Sequence, residues 1–91
     1  MRVIVQQTSF KSDMKKLARS GRHGVEELLA VVEDLARDRP LPPRLRDHQL
    51  RGEWGGFREC HVRPDWLLVY RLEPGRLVLV RTGSHAELFG K

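Results

Sequence analysis

The chain carries a single cysteine, Cys60, so no disulfide can form within it. One thiol without a partner fits a reducing compartment. The apolar run at the N-terminus, Met1-Arg2-Val3-Ile4-Val5, is too short for a secretory signal. No stretch approaches the roughly 20 apolar residues needed to span a bilayer. These absences lead us to expect a complete, cytoplasmic chain with no membrane association. Internal repeats, low-complexity runs and long linkers are also missing, which excludes repeat arrays and a division into several domains.

What the sequence has is charge. Its 91 residues fit one domain over residues 1–91. A domain of that size supports little more than a single sheet with one helical layer. Hydrophobic residues make up 40% and charged residues 32%, a globular composition. The formal net charge is +5 and the pI is about 10.1. Such a balance favours a polyanionic partner such as nucleic acid, an acidic protein or an anionic surface.

Along the chain, Arg2–Gln6 is short and β-branched and reads as a strand. Thr8 or Ser9 is then placed to cap a helix with Phe10, Met14, Leu17 and Ala18 at helical spacing. Lys11, Lys15, Lys16 and Arg19 face away from that stripe, and Ser20-Gly21 ends the helix. A second helix is predicted from Val25 to Arg37, with Val25, Leu28, Leu29, Val32 and Leu35 on its apolar face. Pro40-Leu41-Pro42-Pro43 stops it. Residues 44–57 show no period and read as a long surface loop, a common place for function. Three strands follow, at Phe57–Arg63, Trp66–Leu72 and Arg76–Arg81, with a turn at Glu73-Pro74-Gly75. The near-continuous apolar run of Trp66–Leu72 marks it as central. A helical turn at Glu87–Phe89 closes the chain. The expected fold is α+β: a helical hairpin on a mainly antiparallel four-stranded sheet in the order β-α-α-β-β-β.

Alternation in the first strand of that trio locates the chemistry. Glu59 and His61 are two residues apart and share one face, while Cys60 and Val62 share the other. The apolar pair belongs against the core, so Glu59 and His61 point to solvent or a cleft. Asp65 and Arg63 lie just beyond, His48 lies in the preceding loop, and Arg81 and His85 close the last strand. RNA cleavage needs these side-chain types. The 2′-hydroxyl must lose a proton as it attacks its own phosphate, and the leaving 5′-oxygen must gain one. Histidine and carboxylate do both near neutral pH. Arginine suits the charge that develops on phosphorus. Lys15 and Lys16 on the first helix, with Arg58 beside Glu59, are candidate substrate contacts.

Each residue also has a structural reading. Glu59 and His61 could be a solvated pair, Arg81 could pair with Glu59 to hold the sheet, and Trp54 and Trp66 could be packing anchors. His23 sits in the turn between the helices and reads as structural. His48, His61, His85 and Cys60 are zinc-competent types. Their spacing matches no compact ligand motif and Cys60 should point away from His61, so neither a metal nor any other cofactor is expected.

Four blocks of sequence resemble a known family. They are Arg46-Asp47-His48-Gln49-Leu50-Arg51-Gly52, Trp54-Gly55-Gly56-Phe57-Arg58, Cys60-His61-Val62-Arg63-Pro64-Asp65-Trp66 and Arg81-Thr82-Gly83-Ser84-His85-Ala86-Glu87-Leu88-Phe89. Their order and content are similar to the YafQ branch of the RelE/ParE toxin superfamily. The resemblance implies a bacterial type II toxin that enters the A site of the 70S ribosome and cuts the mRNA there without a metal. It implies a cognate antitoxin that neutralises the toxin, and operator DNA reached through the complex. It places His48, His61, Asp65 and His85 as the family's catalytic side chains, Arg81 on the scissile phosphate and Phe89 as an aromatic that stacks on a base. One position departs: this chain has Glu59 where the family pattern has aspartate. The alternatives are a gyrase-directed toxin on the same fold, which needs no histidine cluster, and a non-catalytic module binding RNA or antitoxin.

Overall fold

The computed structural model describes residues 1–90. Strand β1 covers Val3–Gln6, helix α1 Thr8–Ser20, α2 Val25–Ala36, β2 His48–Gln49, β3 Arg58–Arg63, β4 Trp66–Glu73, β5 Arg76–Gly83 and α3 His85–Phe89. Short 3-10 turns at Pro43–Leu45 and Gly52–Trp54 flank β2. The strands form one sheet in the order β1-β5-β4-β3-β2. Only β1 and β5 run parallel. The α+β class and the helical hairpin are as expected, but the sheet has five strands rather than four. The additional strand lies inside the segment read as loop. At two residues it is too short for a hydrophobic period to register.

Local chemistry explains most boundaries. Gly21 ends α1 at φ 65°, the left-handed conformation that glycine adopts without a Cβ clash. Glu26 and Glu27 occupy the first turn of α2, where the helix dipole favours negative charge. The expected Thr8 or Ser9 cap is not made. Gln7 precedes α1 without a side-chain cap, and the Ser9 hydroxyl instead donates to the Val80 carbonyl at 2.7 Å, fastening α1 to β5. No helix among the described residues is long and apolar enough to cross a membrane.

Strand β4 is central, and Trp66 to Tyr70 are buried on both of its faces. On one face Cys60, Val62, Trp66, Leu68, Tyr70, Leu77 and Leu79 meet Phe10, Leu17, Leu28, Val32 and Leu35 of the helices. On the other, Leu67, Val69, Val78 and Val80 are covered by Leu88, with Leu50, Trp54, Phe57 and Phe89 packed around them. The predicted helical stripes were too simple. Ala18 and Leu29 face solvent, Leu29 with 57% of its surface exposed, while Val31, Ala36 and the charged Asp13 are buried. Leu28, Val31, Val32 and Leu35 form the face that meets the sheet, and Leu29 lies about 100° round the helix from Leu28.

Adjacent leucines on α2 should therefore respond differently to truncation. Leu28→Ala removes a fully buried side chain and should cost about 2–5 kcal/mol in urea unfolding. Leu29→Ala should stay within about 0.5 kcal/mol of wild type.

Candidate active site

Strand register brings the chemistry together on the face opposite the helices. His48 on β2 pairs with Glu59 on β3. Glu59 and His61 then project side by side, and Oε1 of Glu59 lies 3.2 Å from Nε2 of His61. Glu59 is buried rather than solvated, because the second core packs beside it. His61 pairs across the sheet with Leu67, which pairs with Gly83. From Gly83 the chain turns back over this face into α3. A Cβ on Gly83 would sit 3.1 Å from the Glu87 carboxylate and 3.4 Å from Leu88, so the tight seat of α3 requires glycine. Ser84 caps α3 in a reciprocal box with Glu87. His85, the first residue of α3, is thereby delivered to His61, with ring centroids 5.5 Å apart. The His48 ring lies 6.4 Å from that of His61 on the other side.

Each ring is oriented by a second group. Asp65, in the turn between β3 and β4, accepts from the backbone N–H of His85 at 3.1 Å and contacts its Nδ1 at 2.8 Å. A proton on Nδ1 satisfies that contact and leaves the Nε2 lone pair of His85 free. Both bonds favour the ionised carboxylate, the ring N–H more than the backbone N–H, and hold Asp65 below the ordinary aspartate range. Both ring nitrogens of His61 face oxygen, the Glu59 carboxylate and the Pro64 carbonyl, the latter at 3.3 Å. Each of these oxygens is placed to accept from a ring N–H. His48 is exposed, and its Nδ1 lies 2.6 Å from the Arg46 carbonyl.

Comparison with known proteins identifies the family. The family described as "Bacterial toxin of type II toxin-antitoxin system, YafQ" matches residues 2–90. The chain belongs to this family. The mRNA interferase toxin YafQ of Escherichia coli K12 is 53% identical over 51 residues, or 56% of this chain and 55% of that protein, so the match spans about half of that relative's length. Its counterpart from Escherichia coli B/BL21-DE3 is 40% identical over 82 residues, 89% of this chain and 88% of that protein. Among solved structures, a copper-bound mutant toxin from Helicobacter pylori superposes with TM-score 0.93 at 42% identity, covering 98% of this chain and all of that one. The toxin of the Escherichia coli DinJ–YafQ complex gives 0.87 at 38% identity, covering 99% and 100%.

Not every expected residue joins the cluster in this YafQ-family chain. Arg81 shares the cross-strand row of Glu59 and Val69, next to a bulge in the β4–β5 ladder. It does not pair with Glu59. Its guanidinium is held in a fork by Asp13 of α1, Nε at 2.7 Å and Nη2 at 3.1 Å. Asp13 also accepts from the Thr82 N–H. Arg81, Lys16 and Asp65 border one small cavity of about 130 Å³. Asp13 was missed in the sequence although it falls on the buried stripe with Phe10 and Leu17, where an acid needs a partner. Arg58 is on the opposite face from Glu59 and His61, bonded to Asp47 and Tyr70. Tyr70 also donates to Asp47, which pins the loop that carries His48. Phe89 is half-buried with its ring edge-on to Trp54, a packed position rather than a free platform. Lys15 is fully on the solvent side of α1. His23 stacks on Trp66 with centroids 4.5 Å apart, a structural role as expected.

The fold also changes the outlook for metals. Cys60 is buried and burial pushes its thiol up to about 12, so it is no ligand. Glu59, His61 and His85, however, bring one ligand atom each to within 4.8 Å of one another. Sequence spacing gave no hint of this set, because α3 contributes its member through the fold.

Replacing His85 with alanine should release Asp65. In an acid titration followed by its carboxyl carbon shift, Asp65 should titrate at higher pH in His85→Ala than in wild type. The sign carries to stability. A carboxyl held low in the fold stabilises above its unfolded pKa, and that contribution is lost as pH falls through the folded value. His85→Ala should therefore show a weaker dependence of stability on pH in this acid range.

Proposed function

We propose that this chain is an mRNA interferase that cuts message in the ribosomal A site, with His85 as general base and His61 as general acid. The observation that carries the reading is the convergence of two histidines whose rings meet different partners in one cleft. Asp65 fixes the His85 tautomer with Nε2 open, while Glu59 and Pro64 give His61 two acceptors. Groups poised oppositely in one cleft are the signature of an acid/base pair. Nε2 of His85 takes the proton of the 2′-hydroxyl as that oxygen bonds to phosphorus. The P–O5′ bond breaks, and the 5′-oxygen takes the proton shared between Glu59 and His61. The products are a 2′,3′-cyclic phosphate and a 5′-hydroxyl. No water and no outside nucleophile enters this step. Arg81, braced by Asp13, still has free N–H groups for the charge on phosphorus. His48, beyond His61, positions the leaving group, and Phe89 offers an edge to a base. On this reading the ribosome holds the mRNA so that the 2′-oxygen lies in line with the bond to be broken.

The partners follow from the relatives. The YafQ relative is found in complex with DinJ, and a DinJ-like antitoxin is the expected neutralising partner here, with operator DNA bound through that complex.

The test is primer extension on mRNA translated by purified ribosomes, with a ribosome-free control. Wild type should cut at fixed positions within codons, only when ribosomes are present. His85→Ala and His61→Gln should each lose about 10²–10⁴ in rate while still binding antitoxin. An mRNA with sulfur in place of the 5′-bridging oxygen separates the roles, since a thiolate leaves without an acid. It should restore His61→Gln and not His85→Ala. The reverse pattern swaps the assignments, and uncut mRNA from folded wild type sinks the nuclease reading.

The Glu59, His61 and His85 set also fits a transition ion, being two imidazoles and a carboxylate. An ion there would occupy the lone pair that the base step uses. Added copper(II) should therefore suppress cleavage, with EDTA restoring it.

A further inference from the structure

A second cavity, of about 450 Å³, opens beside the same histidines and has a charge that the acid/base pair does not explain. Its walls are Arg44, Arg46 and Arg63 together with His61, Pro64 and His85. No carboxylate lines it. Arg63 is paired with Glu27. Arg44 and Arg46 form no ion pair among the described residues. Three guanidinium groups around one concavity raise the local potential for an anion, with Glu27 bonded to Arg63 and near enough to Arg44 to feel its charge.

The backbone holds this arrangement in place. Arg46 adopts φ 48°, a left-handed conformation uncommon for a residue with a side chain. Its neighbours are both fixed: Leu45 is buried in the core, and Asp47 is bound by Tyr70 and Arg58. The Arg46 carbonyl in turn contacts Nδ1 of His48. Arg46 closes the 3-10 turn Pro43–Leu45, its N–H donating to the Pro43 carbonyl at 3.0 Å, and this cap keeps Arg44 and Arg46 beside the cleft.

We infer that Arg44 and Arg46 hold a backbone phosphodiester of the mRNA next to the scissile one. The inference rests on the nuclease reading above. His61 and His85 form part of the same wall, so a strand whose reactive phosphate meets them continues into this cavity. Arginine forks match phosphate oxygens in geometry and stay charged throughout. The contact positions the strand and carries no sequence information.

The test is single-turnover cleavage of a defined mRNA on purified ribosomes over a range of salt, comparing wild type with Arg44→Gln/Arg46→Gln. Both positions are exposed, so the fold should survive. The double lysine variant, which keeps the charge, should recover most of the affinity. The half-saturating toxin concentration should rise about tenfold, and the slope of log affinity against log salt should fall by about 0.7, for one lost single-strand phosphate contact. The rate at saturation should stay within about twofold, as for lost uniform binding. A second arm puts a neutral methylphosphonate on one side or the other of the cleavage site. One of these substitutions should weaken wild type as much as the double variant, and should not weaken the variant further. Unchanged affinity and salt slope in the double variant would overturn the proposal. So would a loss that neither methylphosphonate reproduces, which would place the contact on ribosomal RNA. Wild type that leaves the mRNA uncut is a failure of the nuclease reading itself, visible before either arm begins, and it takes this proposal with it.

Discussion

Burial of β4 on both faces is the constraint on which the rest of the structure depends. Trp66 through Tyr70 have no polar alternation, so apolar surface stands on each side of the sheet and each side must be covered. The helical hairpin covers one. A chain of this length has little left for the other, and it uses the segment around β2 and the short α3. Those are the two segments that carry His48 and His85. The active cluster is thus assembled by the elements that complete the second core, and Leu88 in that core holds the helix that presents His85.

Electrostatics divides the molecule in a way that net charge conceals. Asp13, Asp47 and Asp65 each serve to fix a functional segment: the first braces Arg81, the second pins the loop before His48, and the third orients His85. Many of the remaining ion pairs are exposed and contribute little to stability, as for Arg37 with Glu33 and Arg39 with Asp34. Arg44 and Arg46, beside the cleft, take part in none of these ion pairs among the described residues.

The cluster has the economy expected of a nuclease whose substrate brings its own nucleophile. It needs one group to take a proton, one to give it, and positive charge nearby. Glu59, His61 and His85 also stand close enough together, within 4.8 Å, to hold a transition ion.

Much of the fold and part of the site were legible in the sequence. The period-two alternation of Glu59 and His61 against Cys60 and Val62 determined which face would carry chemistry, because a strand admits only two faces. The 3.6-residue period marked both helices, and the apolar run of β4 marked the centre of the sheet. The order of four sequence blocks indicated the family. Position across the sheet was another matter. Two-residue β2 leaves no pattern. The placement of His85 against His61 depends on Gly83 allowing α3 to fold back. Arg81 meets Asp13 rather than Glu59 because of contact between α1 and β5, residues 68 apart in the chain. Arg58 falls away from the cleft through strand parity that was available but not applied to it. The sequence by itself determined which residue types were present and, for β3, β4 and the centre of each helical stripe, which face they occupied, since those follow from local periods of two and 3.6. Only the tertiary structure decided which of them touch, since contacts between distant segments depend on register, bulges and turn geometry that no local period encodes.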